Sequence, residues 1–321
     1  MATRPTPTVI EWLLASDPSI QWQTLRDLAS APPSEWQAIR CQLATRDGWC
    51  RQLLLHRDRD TGTWARGAFV PLGFSQQDWR AEGQPWTATS HAVTQLRHCG
   101  LETLDPVAVD CLWEEGGNMF WAGEVEECIN GRLLADAAHF RLVEAGPLLE
   151  RLLADQQPDG GWNCERASGS RCSSFASTIN VLEGLLEVEK AGRGTSVSVK
   201  ARREGEEYLL QRNLFLRKST GEPADDKFLD FLFPCRWHYD VLRALDYFRE
   251  ASRLDGTAPD ARLRQAIEIL RSKQGGDGKW ALDRELPGRV WFKMNEGVGR
   301  PCPWITLRCL RVLKWWNDAQ L

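Results

Sequence analysis

Six consecutive residues, Cys235-Arg236-Trp237-His238-Tyr239-Asp240, form the densest run of reactive side chains in the chain. Cys235 and His238 have a spacing that can bind a metal, while His238 and Asp240, with Tyr239 between them, can act as an acid/base unit. A structural zinc site asks for four ligands, and no second Cys/His pair lies nearby in the sequence; Cys164 and Cys172 are the thiols that could approach. Zinc is therefore disfavoured, and no metal or other cofactor is expected. Asp240 has a second reading, as a carboxylate in the first turn of a helix that stabilises the helix dipole without catalysing anything. Asp159 joins the catalytic candidates. It flanks a glycine turn together with Asn163, where it serves equally well to satisfy turn N–H groups.

Candidate binding residues surround this core. Trp86, Trp237 and Trp304 each open an apolar helical run, placed either to line an apolar cavity, to hold a cation on a ring face, or simply to pack. His91 and His139 fall on expected helices, as ligand contacts or as hydrogen-bonded core residues. Glu296 and Arg300 lie in the last long irregular segment, where they could close over a ligand.

The elements that must position these residues repeat. Trp22-Gln23-Thr24-Leu25-Arg26-Asp27-Leu28 and Trp304-Ile305-Thr306-Leu307-Arg308-Cys309-Leu310 agree at five of seven positions. Looser copies start at Trp86, Phe175 and Trp237, and a weaker one near Cys128. The separations of 64, 42, 47, 62 and 67 residues each leave room for two helices and their connections, which gives six helix pairs. A second element precedes several starts: Thr61-Gly62-Thr63-Trp64, Pro158-Asp159-Gly160-Gly161-Trp162 and Gly276-Asp277-Gly278-Lys279-Trp280. Its glycine allows a tight turn and its tryptophan caps the next pair. Amphipathic helices are expected over 146–157, with Leu148, Leu149, Leu152 and Leu153 on one stripe, and over 262–273, with Leu263, Ile267 and Leu270.

The stretch Leu149 to Trp162, with Gln156 and Gln157 ahead of Asp159-Gly160-Gly161-Trp162, resembles the glutamine-tryptophan repeat of squalene and oxidosqualene cyclases. Leu270 to Trp280, with Gln274 and Gly278, resembles another copy. The likeness places the chain beside the terpene-cyclase and protein-prenyltransferase superfamily (prenyltransferase and squalene oxidase repeat), and implies an all-α fold, an (α/α)6 toroid formed by residues 1–321 as one domain. In such a toroid the inner helices point their N-termini to one end, which favours anions. Arg171 lies four residues before Phe175, Arg236 one before Trp237 and Arg300 four before Trp304, so the three are expected either to converge on a carboxylate or phosphate or to pair with Glu165, Asp226 and Glu296 at the surface.

The family's chemistry is matched less well. The Asp-x-Asp-Asp motif of the protonating cyclases is absent, with His238-Tyr239-Asp240 the nearest match. Alignment to the prenyltransferase zinc ligands puts Phe233 in place of the aspartate and Ile305 in place of the histidine, and the histidine that holds the isoprenoid diphosphate falls at Cys172.

Composition bounds the rest. Forty basic and 44 acidic residues leave a net charge of −4, with no field to favour nucleic acid. Ten cysteines at irregular spacing, several in apolar runs (Cys99, Cys111, Cys309), are read as reduced. No stretch suits a membrane span or a secretory leader, and a cytoplasmic protein is expected. Sixteen tryptophans against three tyrosines suit either aromatic packing between helices or the walls of an apolar pocket. The resulting expectation is a divergent terpene-cyclase-like or prenyltransferase-like enzyme. Its cavity, apolar in depth and polar at the mouth, holds a partly apolar, isoprenoid-like substrate with an anionic head. The alternatives are a non-catalytic lipid or small-molecule binding protein, and a carbohydrate hydrolase or lyase built on Asp159, Asp240 and Glu296.

Overall fold

The computed structural model of the chain describes residues 7–104, 126–141 and 146–319. Among these there is no strand, only isolated β-bridges, and the protein is all-α. Thirteen α-helices follow in order: α1 (Pro7–Leu14), α2 (Pro18–Asp27), α3 (Pro33–Arg40), α4 (Trp49–Leu55), α5 (Gln76–Glu82), α6 (Thr89–Cys99), α7 (Glu127–Phe140), α8 (Gly146–Ala154), α9 (Phe175–Lys190), α10 (Ser196–Leu210), α11 (Val241–Asp255), α12 (Arg264–Ser272) and α13 (Pro303–Asp318). None is long and apolar enough to cross a membrane among the described residues.

The helices differ in how much they bury. α6, α7, α9, α11 and α13 bury most of their residues, whereas α12 buries only Ala266, Ile267 and Leu270, and α3 and α5 bury none. The heavily buried helices pack on one another in chain order, and α13 packs back on α2. α2 reaches α6 through the Trp22 indole, which donates to the Cys99 carbonyl at 2.8 Å. Paired contacts fix their sense. His91 and Arg97 of α6 meet Arg132 and Asp136 of α7, and Glu183 and Lys190 of α9 meet Arg243 and Glu250 of α11. Gly131 and His139 of α7 meet Asn180 and Glu187 of α9. These four helices therefore run parallel, with their N-termini at one end. α7 and α9 approach so closely that a Cβ on Gly131 would stand 2.5 Å from the Asn180 carbonyl oxygen, and one on Gly184 2.5 Å from that of Gly131.

The glycine-tryptophan turns are the joints between an outer helix and the buried helix that follows. Trp64, Trp162 and Trp280 are fully buried. Their indole N–H groups donate to the carbonyls of Leu53, Leu152 and Leu270, at 2.6, 2.7 and 2.7 Å, in α4, α8 and α12. Their backbone N–H groups donate to Thr89, Thr178 and Thr306, at 2.9, 3.1 and 3.0 Å, and each threonine hydroxyl donates back to the carbonyl of the same tryptophan. Gly160 and Gly278 turn the chain at φ +94° and +80°, and the Gln156 and Gln274 amides donate to their carbonyls at 2.7 and 3.1 Å.

The opening repeat differs from its C-terminal copy in a way that sequence identity hides. Trp304 is the second residue of α13, but Trp22 is the fifth of α2, and the Thr24 hydroxyl has no partner among the described residues, whereas Thr306 is locked to Trp280. α2 follows α1 after a three-residue connection, so no glycine-tryptophan turn precedes it for a threonine to bind. The expected outer helices are observed, shortened to Gly146–Ala154 and Arg264–Ser272. Cys99 and Cys309 are buried free thiols, and Cys111 lies outside the described residues.

Candidate ligand-binding site

The space between the buried helices is lined by ionic side chains alongside apolar ones, where an apolar, tryptophan-lined depth was expected. A cavity of ≈ 130 Å³ there is lined by five cations (Arg97, Lys190, Arg243, Arg308, Arg311) and four carboxylates (Glu183, Glu187, Asp246, Glu250), with Trp304 and Phe233 closing one side. Asp246 is the hub, salt-bridged to Arg249, Arg308 and Arg311. Burial opposes its ionisation, but these three guanidinium groups overcome that and hold its carboxyl far below the usual range. Glu183 is likewise penalised by burial and brought down to about 2 by Arg243, whose Nε and Nη2 both donate to it at 2.8 Å. A second space of ≈ 570 Å³ towards the C-terminal ends of the helices shares Arg97, Glu187, Lys190, Glu250 and Arg311 with this cavity.

The N-terminal end of the helices carries a different constellation. Arg132, 4% exposed, donates from Nη2 to His91 Nδ1 at 3.1 Å, has no carboxylate partner among the described residues, and leaves its Nε unsatisfied. With Nδ1 accepting, the His91 ring proton sits on Nε2. Burial, then the charges of Arg132 and Arg236, keep His91 well below its ordinary pKa, so the ring is neutral. His91 meets the edge of Trp86 at 5.0 Å between centroids, and the Arg236 guanidinium lies over the Trp86 ring at 5.2 Å. Arg236 also makes no ion pair among the described residues. Burial and then the Arg132 charge push it down to about 9, still protonated at neutral pH.

The loop that presents Arg236 is pinned from both neighbouring helices. Asn180 of α9 donates to the Trp237 carbonyl at 2.8 Å, Arg243 of α11 donates to the His238 carbonyl at 2.7 Å, and Arg243 also donates to Asn180 Oδ1 at 2.9 Å. Arg236 takes a positive φ of 54° in this loop, and Trp237 stacks on His238 at 3.8 Å. Trp86 and Arg236 then wall a pocket of ≈ 450 Å³ with Phe233, Val290, Phe292 and Met294. That volume is in the range of small-molecule sites.

The expected site residues divide accordingly. Trp86, His91, Arg236, Trp237 and His238 are brought together. Asp240 is not part of that face: it is fully buried as the N-cap of α11, accepting from the Arg243 N–H at 2.7 Å and from the Cys235 thiol at 3.6 Å. Tyr239 is buried and its hydroxyl donates to the Leu214 carbonyl at 2.5 Å. Asp159 holds the Ser173 N–H at 3.0 Å and the Ser173 hydroxyl, and Asn163 caps a 3-10 turn while its amide donates to Ser170 and to the Cys172 carbonyl. These four expectations are corrected to structural roles. A carboxylate or phenol whose oxygens are consumed by backbone groups is not free to move a substrate proton.

The three arginines do not converge either. Arg171 and Arg300 are exposed, Arg300 beside exposed Glu296 at 3.9 Å, and only Arg236 turns inward. Trp304 is buried and stacked between Phe233 and Trp49, facing the ionic cavity instead of the mouth. His139 donates from Nε2 to the Leu101 carbonyl at 2.8 Å and turns Nδ1 to Glu187 at 3.6 Å. The Cys235–His238 pair gathers no further ligand among the described residues: the Cys235 sulfur engages the Leu232 carbonyl, Asp240 and Arg308.

Sequence reasoning missed Arg132. Its signal was an arginine inside the apolar run Ile129 to Phe140, four residues after the weak repeat start at Cys128, the same offset at which Arg26 and Arg308 follow Trp22 and Trp304. No known family model matches this chain, and no curated protein matches it.

Proposed function

We propose that the chain is a six-pair α/α toroid, akin to the terpene-cyclase and prenyltransferase scaffold, that binds a small amphipathic anion at the N-terminal mouth of its inner helices. Support for the toroid comes from the chain-order contacts of the buried helices and their return from α13 to α2. The observation that carries the ligand reading is the pair of buried Arg132 and half-buried Arg236, cations with no salt bridge to a carboxylate among the described residues, joined through His91 and Trp86. Burying an unpaired cation is costly, and a phosphate or carboxylate head offsets that cost. The neutral His91 offers Nε2–H as a further donor, and the Trp86 indole and Phe292 take the apolar body. The body lies in the mouth pocket, whose wall includes Phe233, Val290, Phe292 and Met294.

Isothermal titration calorimetry with farnesyl diphosphate, and with pyrophosphate for the head alone, tests this. Arg132→Gln and Arg236→Gln should each weaken both by about tenfold to a hundredfold, the worth of a hydrogen bond to a charged group. Unchanged affinity in both variants sinks the reading.

One observation favours binding without turnover as the second reading: Asp240, Tyr239 and Asp159 are committed to backbone groups. His91 and His238 are the groups left to move protons. Product analysis after prolonged incubation with farnesyl diphosphate separates the two, since an enzyme releases a new product that His238→Gln abolishes. The carbohydrate reading loses its residues, because Asp159, Asp240 and Glu296 line none of the cavities described above.

A further inference from the structure

The N-terminus of α7 is capped from outside the helix by a sulfur. Glu126, its N-cap residue, makes no side-chain capping bond. Instead the N–H of Cys128 donates to Cys164 Sγ at 3.3 Å. Ser177, in the first turn of α9, donates its hydroxyl to the same sulfur at 3.2 Å and accepts the Cys164 N–H at 3.1 Å. The Cys128 thiol points at the Glu126 carboxylate, 3.9 Å away. The ligand atoms of Glu126, Cys128 and Cys164 all lie within 4.8 Å of one another.

We propose that Cys128, Cys164 and Glu126 hold one thiophilic divalent cation of the zinc type. Two sulfurs about 2.3 Å and one oxygen about 2.0 Å from a tetrahedral ion stand roughly 3.8 Å or less apart. A closing movement of about 1 Å or less reaches that geometry, and the fourth position stays open to solvent or ligand. The donor set suits such an ion, because two sulfurs select against magnesium and calcium. On binding, the thiol protons leave to solvent and two metal–sulfur bonds form with no change of oxidation state. Two thiolates and a carboxylate around a divalent ion leave one net negative charge. Arg132 stands one turn beyond Cys128 on α7, buried and without a carboxylate partner among the described residues, and its charge balances that complex. Cys164 reaches the site because Asn163 and Ser177 fix its turn on both sides.

The test is a cobalt titration of the full, reduced chain under nitrogen, with no organic ligand present, so it is read independently of farnesyl diphosphate binding. Wild type should develop a near-ultraviolet thiolate-to-cobalt charge-transfer band that saturates at one equivalent. Cys128→Ser and Cys164→Ser should each lose the band or weaken cobalt binding by at least about tenfold, and Glu126→Gln should keep the band at lower affinity. Cys164→His, which retains a ligand, should still bind one cobalt with a weaker band, a result that a merely misfolded variant cannot give. Cys172→Ser and Cys235→Ser should match wild type. No band in reduced wild type, a band that survives both Cys128→Ser and Cys164→Ser, or a band lost in Cys235→Ser overturns the proposal. So does oxidation to a Cys128–Cys164 disulfide with no cobalt band after full reduction.

Discussion

Arg132 gives its Nη2–H to Nδ1 of His91 across 3.1 Å, and so ties a buried guanidinium to a ring that burial and two nearby arginines keep neutral. The pair carries a positive charge with no salt bridge to a carboxylate among the described residues, Asp136 acting on it only from a distance, which makes a stability cost and a binding site of the same group.

That cost predicts a trade. Arg132→Met should raise the stability of the ligand-free protein by about 1 kcal/mol or more, since an apolar residue of similar volume replaces an unpaired buried charge. The same variant should lose the added stability that pyrophosphate or farnesyl diphosphate confers on wild type. Urea unfolding with and without ligand measures both. A destabilised Arg132→Met would mean that the charge is already compensated.

The ionic hub predicts the opposite sign. Asp246→Asn leaves Arg249, Arg308 and Arg311 short of their shared anion and should cost about 3–5 kcal/mol, the range for breaking a buried pair by removing one partner. Thermal unfolding followed by circular dichroism should show a drop of many degrees.

The threonine locks predict a contrast within one repeat. Thr178→Val and Thr306→Val each strand a buried tryptophan N–H, at about 1–3 kcal/mol, while the carbonyls keep the Ser174 and Cys302 N–H groups. Thr24→Val, at the matching position of α2, should be neutral or mildly stabilising, because its hydroxyl has no partner among the described residues. Equal losses at Thr24 and Thr306 would contradict the joint described here.

The α7–α9 contact predicts steric intolerance. Gly131→Ala and Gly184→Ala place a methyl 2.5 Å from a backbone oxygen in both cases, and rigid backbone must shift to admit it. Each should destabilise by about 1–3 kcal/mol, read as a lower urea midpoint with an unchanged slope.

Acid should unfold the protein in two overlapping stages. His238 is lowered from 6.5 to about 4 by burial and then by Arg284, Arg243 and Lys227, and His91 is lowered as well. Between the unfolded and folded values the unfolded chain binds more protons, so stability falls as pH drops from about 6.5 towards 4. Glu183, lowered from 4.5 to about 2, contributes stability that is present above 4.5 and lost as pH falls towards 2. Urea midpoints across this range should decline monotonically, and His91→Gln should flatten the upper stage.

Much of the architecture was legible in the chain because its causes are local. A 3.6-residue apolar period marks the outer helices, and glycine followed by tryptophan marks each turn, since a left-handed φ and a large indole are needed within a few residues of each other. Each of the six repeat starts lies at or near the start of a largely buried helix among the described residues, and α7, α9 and α13 begin within two residues of the start that announced them. Of the candidate residues, Trp86, His91, Arg236, Trp237 and His238 lie near one another. Proximity to helix starts is a sequence property, and helix starts share one end when neighbouring helices run parallel.

What the sequence determined by itself, then, was helical class, repeat register and the turns, all of them set by contacts a few residues long. Tertiary structure alone decided which polar groups were free. Asp240, Tyr239 and Asp159 looked reactive but are spent on the backbone of their own joints. Arg171 and Arg300 stand in solvent, and the carboxylates that neutralise Arg97, Arg243 and Arg308 come from Asp136, Glu183 and Asp246, 39, 60 and 62 residues away in the chain. Arg132 is left over from that pairing. Whether a buried charge is compensated depends on which helix faces it, and no local pattern encodes that.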